Sequence, residues 1–394
     1  MILSLSILLV CTMALIIDLK KSGYKCILNP FFLFLFLLTL YLVIPSVFTE
    51  EINYYYSWGI DQESIFFTRL MLLFFSLYFV TMLLFVFKSE NLSFKPAKFK
   101  GPPTVVFFLW LVVVFYVSLV FKIRVEEGLF DNVFIYNAEH AENQYRLKNI
   151  AYLLIPITIL LYFYKKSIWV FLPNVTIILI DLLFGSRTVA LICIAPIFFS
   201  LSFKNRKLYL QQAVFLIFLL ILVGVYRTDN AIQNVPWYLN ALGEFRETFI
   251  TLPLYINNNV YFNHGTFFTY VSAIFFAFLQ PFRDVILNDY TFSARYIADD
   301  VSRGYGLGSN FIIDSIYYGW QGFLVSFLFL NSFLYFIYKM NKKLELHSLI
   351  IFMSLSFICL RLIVREGLPM NIGLFFFLMS FYVTPILYLR RIKL

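Results

Sequence analysis

Apolar runs about as long as a bilayer is thick recur from one end of this sequence to the other, and that recurrence limits the fold more than anything else in it. A helix needs roughly 20 apolar residues to cross the hydrocarbon core. Backbone groups there must be satisfied within the segment, so spans of this length are helices. The runs fall at residues 2–17, 30–48, 66–87, 104–121, 150–164, 168–184, 188–203, 208–225, 312–338, 348–363 and 368–388. The expected fold is therefore all-α: a polytopic integral membrane protein with about eleven, between ten and twelve, transmembrane helices.

Composition excludes the alternatives. Of the 394 residues only 13% are charged, against about a quarter in soluble domains, so a water-soluble enzyme is ruled out. The 50 Phe and 27 Tyr rule out a disordered chain. Cys11, Cys193 and Cys359 stand in apolar runs and Cys26 in a short basic loop, a pattern that fits neither a disulfide framework nor a zinc site. The opening MILSLSILLV lacks a basic n-region and a small-residue cleavage site, and reads as a retained span. No linker or internal repeat divides residues 1–394, which read as one membrane domain.

The net charge of +9 is scattered over short loops rather than gathered in a basic domain, so nucleic acid is not an expected partner. Lys20, Lys21 and Lys25, then Lys88, Lys95, Lys98 and Lys100, then Lys165 and Lys166 occupy alternate loops. Lys204, Arg206 and Lys207, then Lys339, Lys342 and Lys343, then Arg390, Arg391 and Lys393 continue the alternation. The positive-inside rule makes this side cytoplasmic, with the N-terminus outside and the C-terminus inside. The external side then carries a middle-sized loop at 122–149 and a large one at about 226–311. Parity requires the short apolar stretch 266–280 within the latter to be re-entrant or interfacial; the alternative is that it spans and a weaker run does not.

Lysine and arginine part company on this topology. Fifteen of the seventeen lysines are cytoplasmic, whereas Arg69, Arg124, Arg146, Arg187, Arg227, Arg246, Arg283, Arg295, Arg303, Arg361 and Arg365 are external. Guanidinium binds phosphate and carboxylate bidentately, which ammonium does not. The bias points either to an anion site or to pairing with the external carboxylates. Arg187 follows Gly185-Ser186 between two spans with almost no loop, and Arg361 and Arg365 stand one helical turn apart at a span end. Charges are costly there unless paired.

Gly243-Glu244-Phe245-Arg246-Glu247 places two carboxylates on one helical face around an arginine, either as acid–base groups or as an ion-paired loop helix. His264 in the large loop suits proton transfer, though a lone histidine is also a common structural residue. Asp299, Asp300 and Asp314 flank a glycine-rich run at 304–308, and Asp181 is an ionisable residue inside a span. Neither a Cys/His metal cluster nor an Asp-x-Asp pair is present, so no metal or other cofactor is expected. The near absence of charge at span midplanes weighs against an ion-coupled transporter. Tyr54-Tyr55-Tyr56 with Trp58, Trp237-Tyr238, and Tyr317-Tyr318 with Trp320 suit stacking on sugar rings or an interfacial aromatic belt.

Together these pieces resemble the Wzy-type O-antigen polymerases. The matching segments are Gly185-Ser186-Arg187-Thr188, Glu244-Phe245-Arg246-Glu247, Gly306-Leu307-Gly308-Ser309 leading to Tyr318-Gly319-Trp320-Gln321-Gly322, and Arg365-Glu366-Gly367. An Arg-x10-Gly spacing associated with that family occurs at Arg295 and Gly306. The resemblance implies a GT-C-like helical architecture in the bacterial inner membrane, with the large loop in the periplasm. It also implies an activity: joining undecaprenyl-diphosphate-linked oligosaccharides into O-antigen, with membrane lipid around the chain and a chain-length regulator as partner. Arg187, Arg246, Arg295, Arg303, Arg361 and Arg365 would then hold the diphosphate, and Glu244, Glu247 or His264 would take the hydroxyl proton. An O-antigen ligase using the same donor, and a lipid-linked oligosaccharide flippase, are the competing expectations.

Overall fold

The computed structural model describes residues 1–93, 103–131, 145–209, 235–257, 310–316 and 319–389, with a few isolated positions between them. Among these residues every regular element is helical. In chain order they are α1 (Ile2–Ser22), α2 (Pro30–Leu38, continued by a π turn at Thr39–Val43 and by Ile44–Ser46), α3 (Thr49–Tyr56), α4 (Gln62–Thr81, continued by Met82–Val86) and α5 (Thr104–Glu126). Then come α6 (Leu147–Lys165), α7 (Leu172–Leu183), α8 (Thr188–Asn205), α9 (Trp237–Leu242) and α10 (Glu244–Asn257). The chain closes with α11 (Phe311–Ile316), α12 (Gly319–Asn341), α13 (Leu346–Glu366) and α14 (Pro369–Leu378, continued by Met379–Val383 and Thr384–Leu389).

Among the described residues eight helical segments are long and apolar enough to cross a membrane, and the bent pair Pro30–Ser46 and Thr49–Tyr56 makes up to nine. Ile168–Leu183 is apolar but shorter. These account for ten of the eleven expected runs, and 208–225 lies largely outside the described residues. The expected run at 312–338 is covered by two described helices, α11 to Ile316 and α12 from Gly319, whose φ of 75° is not helical. Helix α5 runs on through Lys122 and Arg124, so the loop expected at 122–149 is shorter than its charges suggested.

The outer faces explain the composition. Leu5, Leu9, Met13 and Ile16 of α1, Phe66, Leu70, Phe74 and Leu77 of α4, and Phe108, Leu111, Phe115 and Leu119 of α5 are exposed at helical spacing. Contiguous apolar faces of this extent are not left to water. They suit lipid, and the chain is a membrane-embedded helical protein.

Two compact units form. The first comprises Met1–Ser93, Ile232–Lys342 and Cys359–Phe377. Its centre is α2, apolar all round and buried at Phe31, Leu33, Phe34, Leu35, Leu37 and Leu38. Helix α1 contributes one narrow stripe, Ser4, Ile7, Cys11, Ala14 and Asp18, at three- and four-residue steps. Helix α10 lies in the expected external loop, yet Phe249, Ile250, Leu252, Leu254 and Tyr255 are all buried. The second unit comprises Phe94–Ala231, Lys343–Ile358 and Leu378–Leu394. Helices α5 to α8 make most of its described core, with Leu154, Ile155, Ile159 and Leu160 of α6 wholly inside.

In each unit the arginine ion pairs and most of the lysine contacts fall at opposite ends. In the first, Arg69 near the start of α4 pairs with Glu50, while Lys25 donates to the Glu90 carbonyl beyond the far end of the same helix. In the second, Arg124 ends α5, whereas Lys165 sits over the ring of Phe107 near the start of that helix.

Candidate functional site

The densest polar cluster among the described residues lies in the first unit, where the start of α10 meets the end of α13. Gly243, at φ 45°, separates α9 from α10 in a backbone conformation that favours glycine. Glu244 and Glu247 therefore fall in the first turn of α10, where the helix dipole favours negative charge. Arg361 and Arg365 fall in the last turns of α13, where it favours positive charge. Asn371 of α14 donates to the carbonyls of Leu362 and Gly367 at 3.2 and 2.7 Å and holds that helix end in place.

One carboxylate oxygen, Oε1 of Glu244, gathers three groups. Arg361 Nη2 donates to it at 2.6 Å, and Tyr41 Oη donates at 3.2 Å. Arg365 Nε lies 2.8 Å away, but its N–H points elsewhere and makes no hydrogen bond, so this contact is purely ionic. Arg361 Nε also donates to Tyr41 Oη at 2.7 Å, closing a ring of three interactions among Arg361, Tyr41 and Glu244. The Tyr41 ring in turn meets Phe245 edge-on, with centroids 4.7 Å apart.

Exposure separates the two arginines. The Arg361 side chain is 3% exposed and Glu244 14%, whereas Arg365 is 26% exposed and donates a hydrogen bond to Glu366 at 3.0 Å. Arg361 is thus a fixed internal tether. Arg365 shares its main carboxylate with another cation and reaches the surface.

Tyr41 had no sequence pattern to mark it. It stands inside the π turn of α2, and Pro45, four residues on, cannot donate to its carbonyl. The helix responds by widening, with the Ile44 amide bonded to the Thr39 carbonyl. A proline late in an apolar run was the available signal, since such bulges recur at functional sites.

Arg246 and Glu247 form a second group on the next face of α10. Arg246 Nε and Nη2 both donate to Glu247 Oε1, the former at 2.9 Å. The guanidinium also lies over the Tyr56 ring at 4.0 Å. Glu247 Oε2 is buried and has no hydrogen-bond partner. The two carboxylates of α10 thus have separate partners.

Arg187 belongs to the second unit, where it immediately precedes α8 and is buried. In the same unit Asp181 Oδ2 accepts the Ala190 amide at 2.8 Å, capping α8. That assignment explains an ionisable residue near a span end without invoking chemistry. Arg124 pairs with Glu127 at 2.8 Å and is held between the rings of Tyr145 and Phe184. His264, Arg295, Arg303, Asp299, Asp300 and the glycine-rich run 304–308 lie outside the described residues, as does most of the 266–280 stretch. Among the described residues no three His, Cys, Asp or Glu side chains converge as metal ligands would.

Comparison with known protein families, curated proteins and solved structures finds no match to this chain.

Proposed function

We propose that this protein polymerises undecaprenyl-diphosphate-linked oligosaccharide repeat units into O-antigen polysaccharide at the periplasmic face of the bacterial inner membrane. The observation that carries the reading is the cluster of Glu244, Arg361, Arg365 and Tyr41. Two guanidiniums share one carboxylate oxygen, and the second carboxylate that balances them, Glu366 on Arg365, lies at the surface. Arg69, Arg124, Arg246 and Arg361 each have a carboxylate partner. Among the ion-paired arginines of the described residues, Arg365 is the most exposed and the one whose contacts an arriving diphosphate can replace at least cost.

The reaction joins two lipid-linked chains. A hydroxyl at the non-reducing end of the acceptor forms a bond to the anomeric carbon of the donor. The bond from that carbon to the diphosphate oxygen breaks, and undecaprenyl diphosphate leaves with the bonding pair. Arg365, steadied by Glu244, meets the charge that develops on the leaving oxygen, and fixed donors of this kind stabilise transition states strongly. The hydroxyl proton passes to a carboxylate or to His264. Among the described residues Glu247 suits this role better than Glu244, because its Oε2 is uncommitted.

The test is lipopolysaccharide from a strain lacking this gene, complemented with variants present at normal membrane levels. Deletion collapses the ladder to core plus one repeat unit. Arg365→Ala leaves it collapsed, with a rate loss of about 100-fold or more, the scale for removing one transition-state donor. An unchanged ladder on deletion refutes the polymerase reading. Complete loss of polysaccharide from lipid A instead indicates a ligase.

A further inference from the structure

The first unit carries a second surface with its own chemistry. Helix α3 turns 59° from α2 and presents Glu51, Tyr54 and Tyr55 at three- and four-residue spacing, hence on one face. Helix α9 presents Trp237 and Tyr238. Tyr54 is 78% exposed and Trp237 71%. Edge-on contacts order the rings: Tyr54 with Tyr55 at 5.2 Å and Trp237 with Tyr238 at 6.1 Å, while Phe48 lies 5.7 Å from Tyr238. Tyr238 Oη donates to Glu51 Oε2, and Tyr56 Oη donates to Asn240 Oδ1 at 3.1 Å, so the two helices, about 180 residues apart in sequence, share one surface.

An aromatic surface on a membrane protein ordinarily meets lipid headgroups. This one is acidic. In the segment from α3 to the first turns of α4, Glu50, Glu51, Asp61 and Glu63 stand against two cations, Arg69 and the Met1 ammonium, both of them on Glu50. Anionic headgroups are repelled by such a surface, and a carboxylate among the rings calls for hydroxyl donors. A ligand with apolar ring faces and hydroxyl edges satisfies both demands.

We propose that the face formed by Glu51, Tyr54, Tyr55, Trp237 and Tyr238 is an oligosaccharide platform that takes neutral or amino sugars and rejects carboxylated ones. The C–H faces of the sugar rings rest on Tyr54, Tyr55 and Trp237, and sugar hydroxyls donate to Glu51. The platform rests on the polymerase reading, for which it supplies a seat for the glycan of a substrate, apart from the cluster that meets the diphosphate. Tyr56 bonds Asn240 beside the platform and carries on its ring Arg246 of α10, the helix that also bears Glu244.

The test uses the full chain in phosphatidylcholine nanodiscs. The titrant is the lipid-free oligosaccharide released by mild acid from the repeat unit that the host strain accumulates, and saturation-transfer NMR reads its binding. Trp237→Ala and Tyr54→Ala each weaken binding about ten-fold, as expected for loss of one stacking surface. Arg365→Ala leaves binding unchanged, because this titrant has no diphosphate. The same oligosaccharide with its primary alcohols oxidised to carboxylates binds about ten-fold more weakly, and Glu51→Gln narrows that gap. Equal binding by parent, Trp237→Ala and Tyr54→Ala, or no binding by the parent, overturns the platform; the first result is what a lipid-covered face gives. Ladders from the same strains separate the two ideas. A parent that polymerises while binding ignores these aromatics sinks the platform alone, whereas a deletion strain with a full ladder sinks the polymerase reading.

Discussion

Removing Glu244 is the sharpest perturbation of the cluster, because its cost and that of removing Arg365 are expected to differ by several-fold. In Glu244→Ala the guanidinium of Arg361, 3% exposed, keeps Tyr41 Oη but loses its only described carboxylate. Stripping one partner from a buried ion pair costs about 3–5 kcal/mol, since the other charge stays buried. Arg365 keeps Glu366 and some solvent, so it adds little to that figure. Arg365→Ala removes a partly exposed group with a misdirected Nε and costs about 1 kcal/mol or less. The double substitution Glu244→Leu with Arg361→Met removes both buried charges together and is less destabilised than Glu244→Ala alone. Unfolding of each variant by SDS in mixed micelles, followed by loss of helical circular dichroism, gives the ranking. Glu244→Ala within 1 kcal/mol of the parent, or Arg365→Ala as damaging as Glu244→Ala, refutes the division into an internal tether and a surface arm.

Two further outcomes follow from groups outside this cluster. Asp181→Ala removes the cap on α8 and lowers stability by about 1–2 kcal/mol, whereas Asp181→Asn keeps an oxygen for the Ala190 amide and loses less; the same micelle titration reads both, and parent-like behaviour of the alanine variant rejects the capping role. Tyr238 ionises late, pushed up to about 12, because its neutral phenol donates to Glu51. Its folded value exceeds the unfolded one of about 10, so the hydrogen bond contributes fully below pH 10 and is lost as pH rises through about 12. Tyrosinate absorbance of the parent minus that of Tyr238→Phe isolates this one titration, which Glu51→Gln moves down toward the ordinary tyrosine range.

How much of this was legible beforehand depended on how local each feature is. The spans were, because an apolar run of bilayer length has few other uses. Glu244, Arg361 and Arg365 could each be picked out by residue type and position. Their convergence could not, because Arg361 meets Glu244 across 117 positions and Tyr41 across 320. Helix α10 reads as part of an external loop for a related reason. Hydropathy measures transfer into lipid, and Thr248, Thr251 and the two glutamates depress it over Glu244–Asn257. Burial among other helices tolerates those residues where lipid does not: Thr251 Oγ1 donates to the Thr248 carbonyl inside the unit, and Asn310 donates to the same carbonyl. A segment too polar and too short to span was still apolar enough to form core.

The separation of arginine from lysine now has a structural basis that narrows the functional claim. Arginine's planar head serves several partners at once, and the buried arginines use that capacity. Arg361 bonds Tyr41 and Glu244 together, Arg246 bonds Glu247 while covering Tyr56, and Arg124 bonds Glu127 between two rings. At the opposite ends of the units lysines rest singly over rings: Lys165 on Phe107, Lys204 on Tyr162, Lys339 on Tyr335 and Lys342 on Tyr338. A point charge suffices there, and the long stem reaches water. Much of the arginine excess is therefore cross-linking of helix ends, work that an ammonium cannot do with the same geometry. The excess does not by itself require an anionic ligand at every arginine. Among the ion-paired arginines of the described residues, the one whose main carboxylate is shared and whose head is partly exposed is Arg365. The neighbouring arginines hold the helix ends that place it.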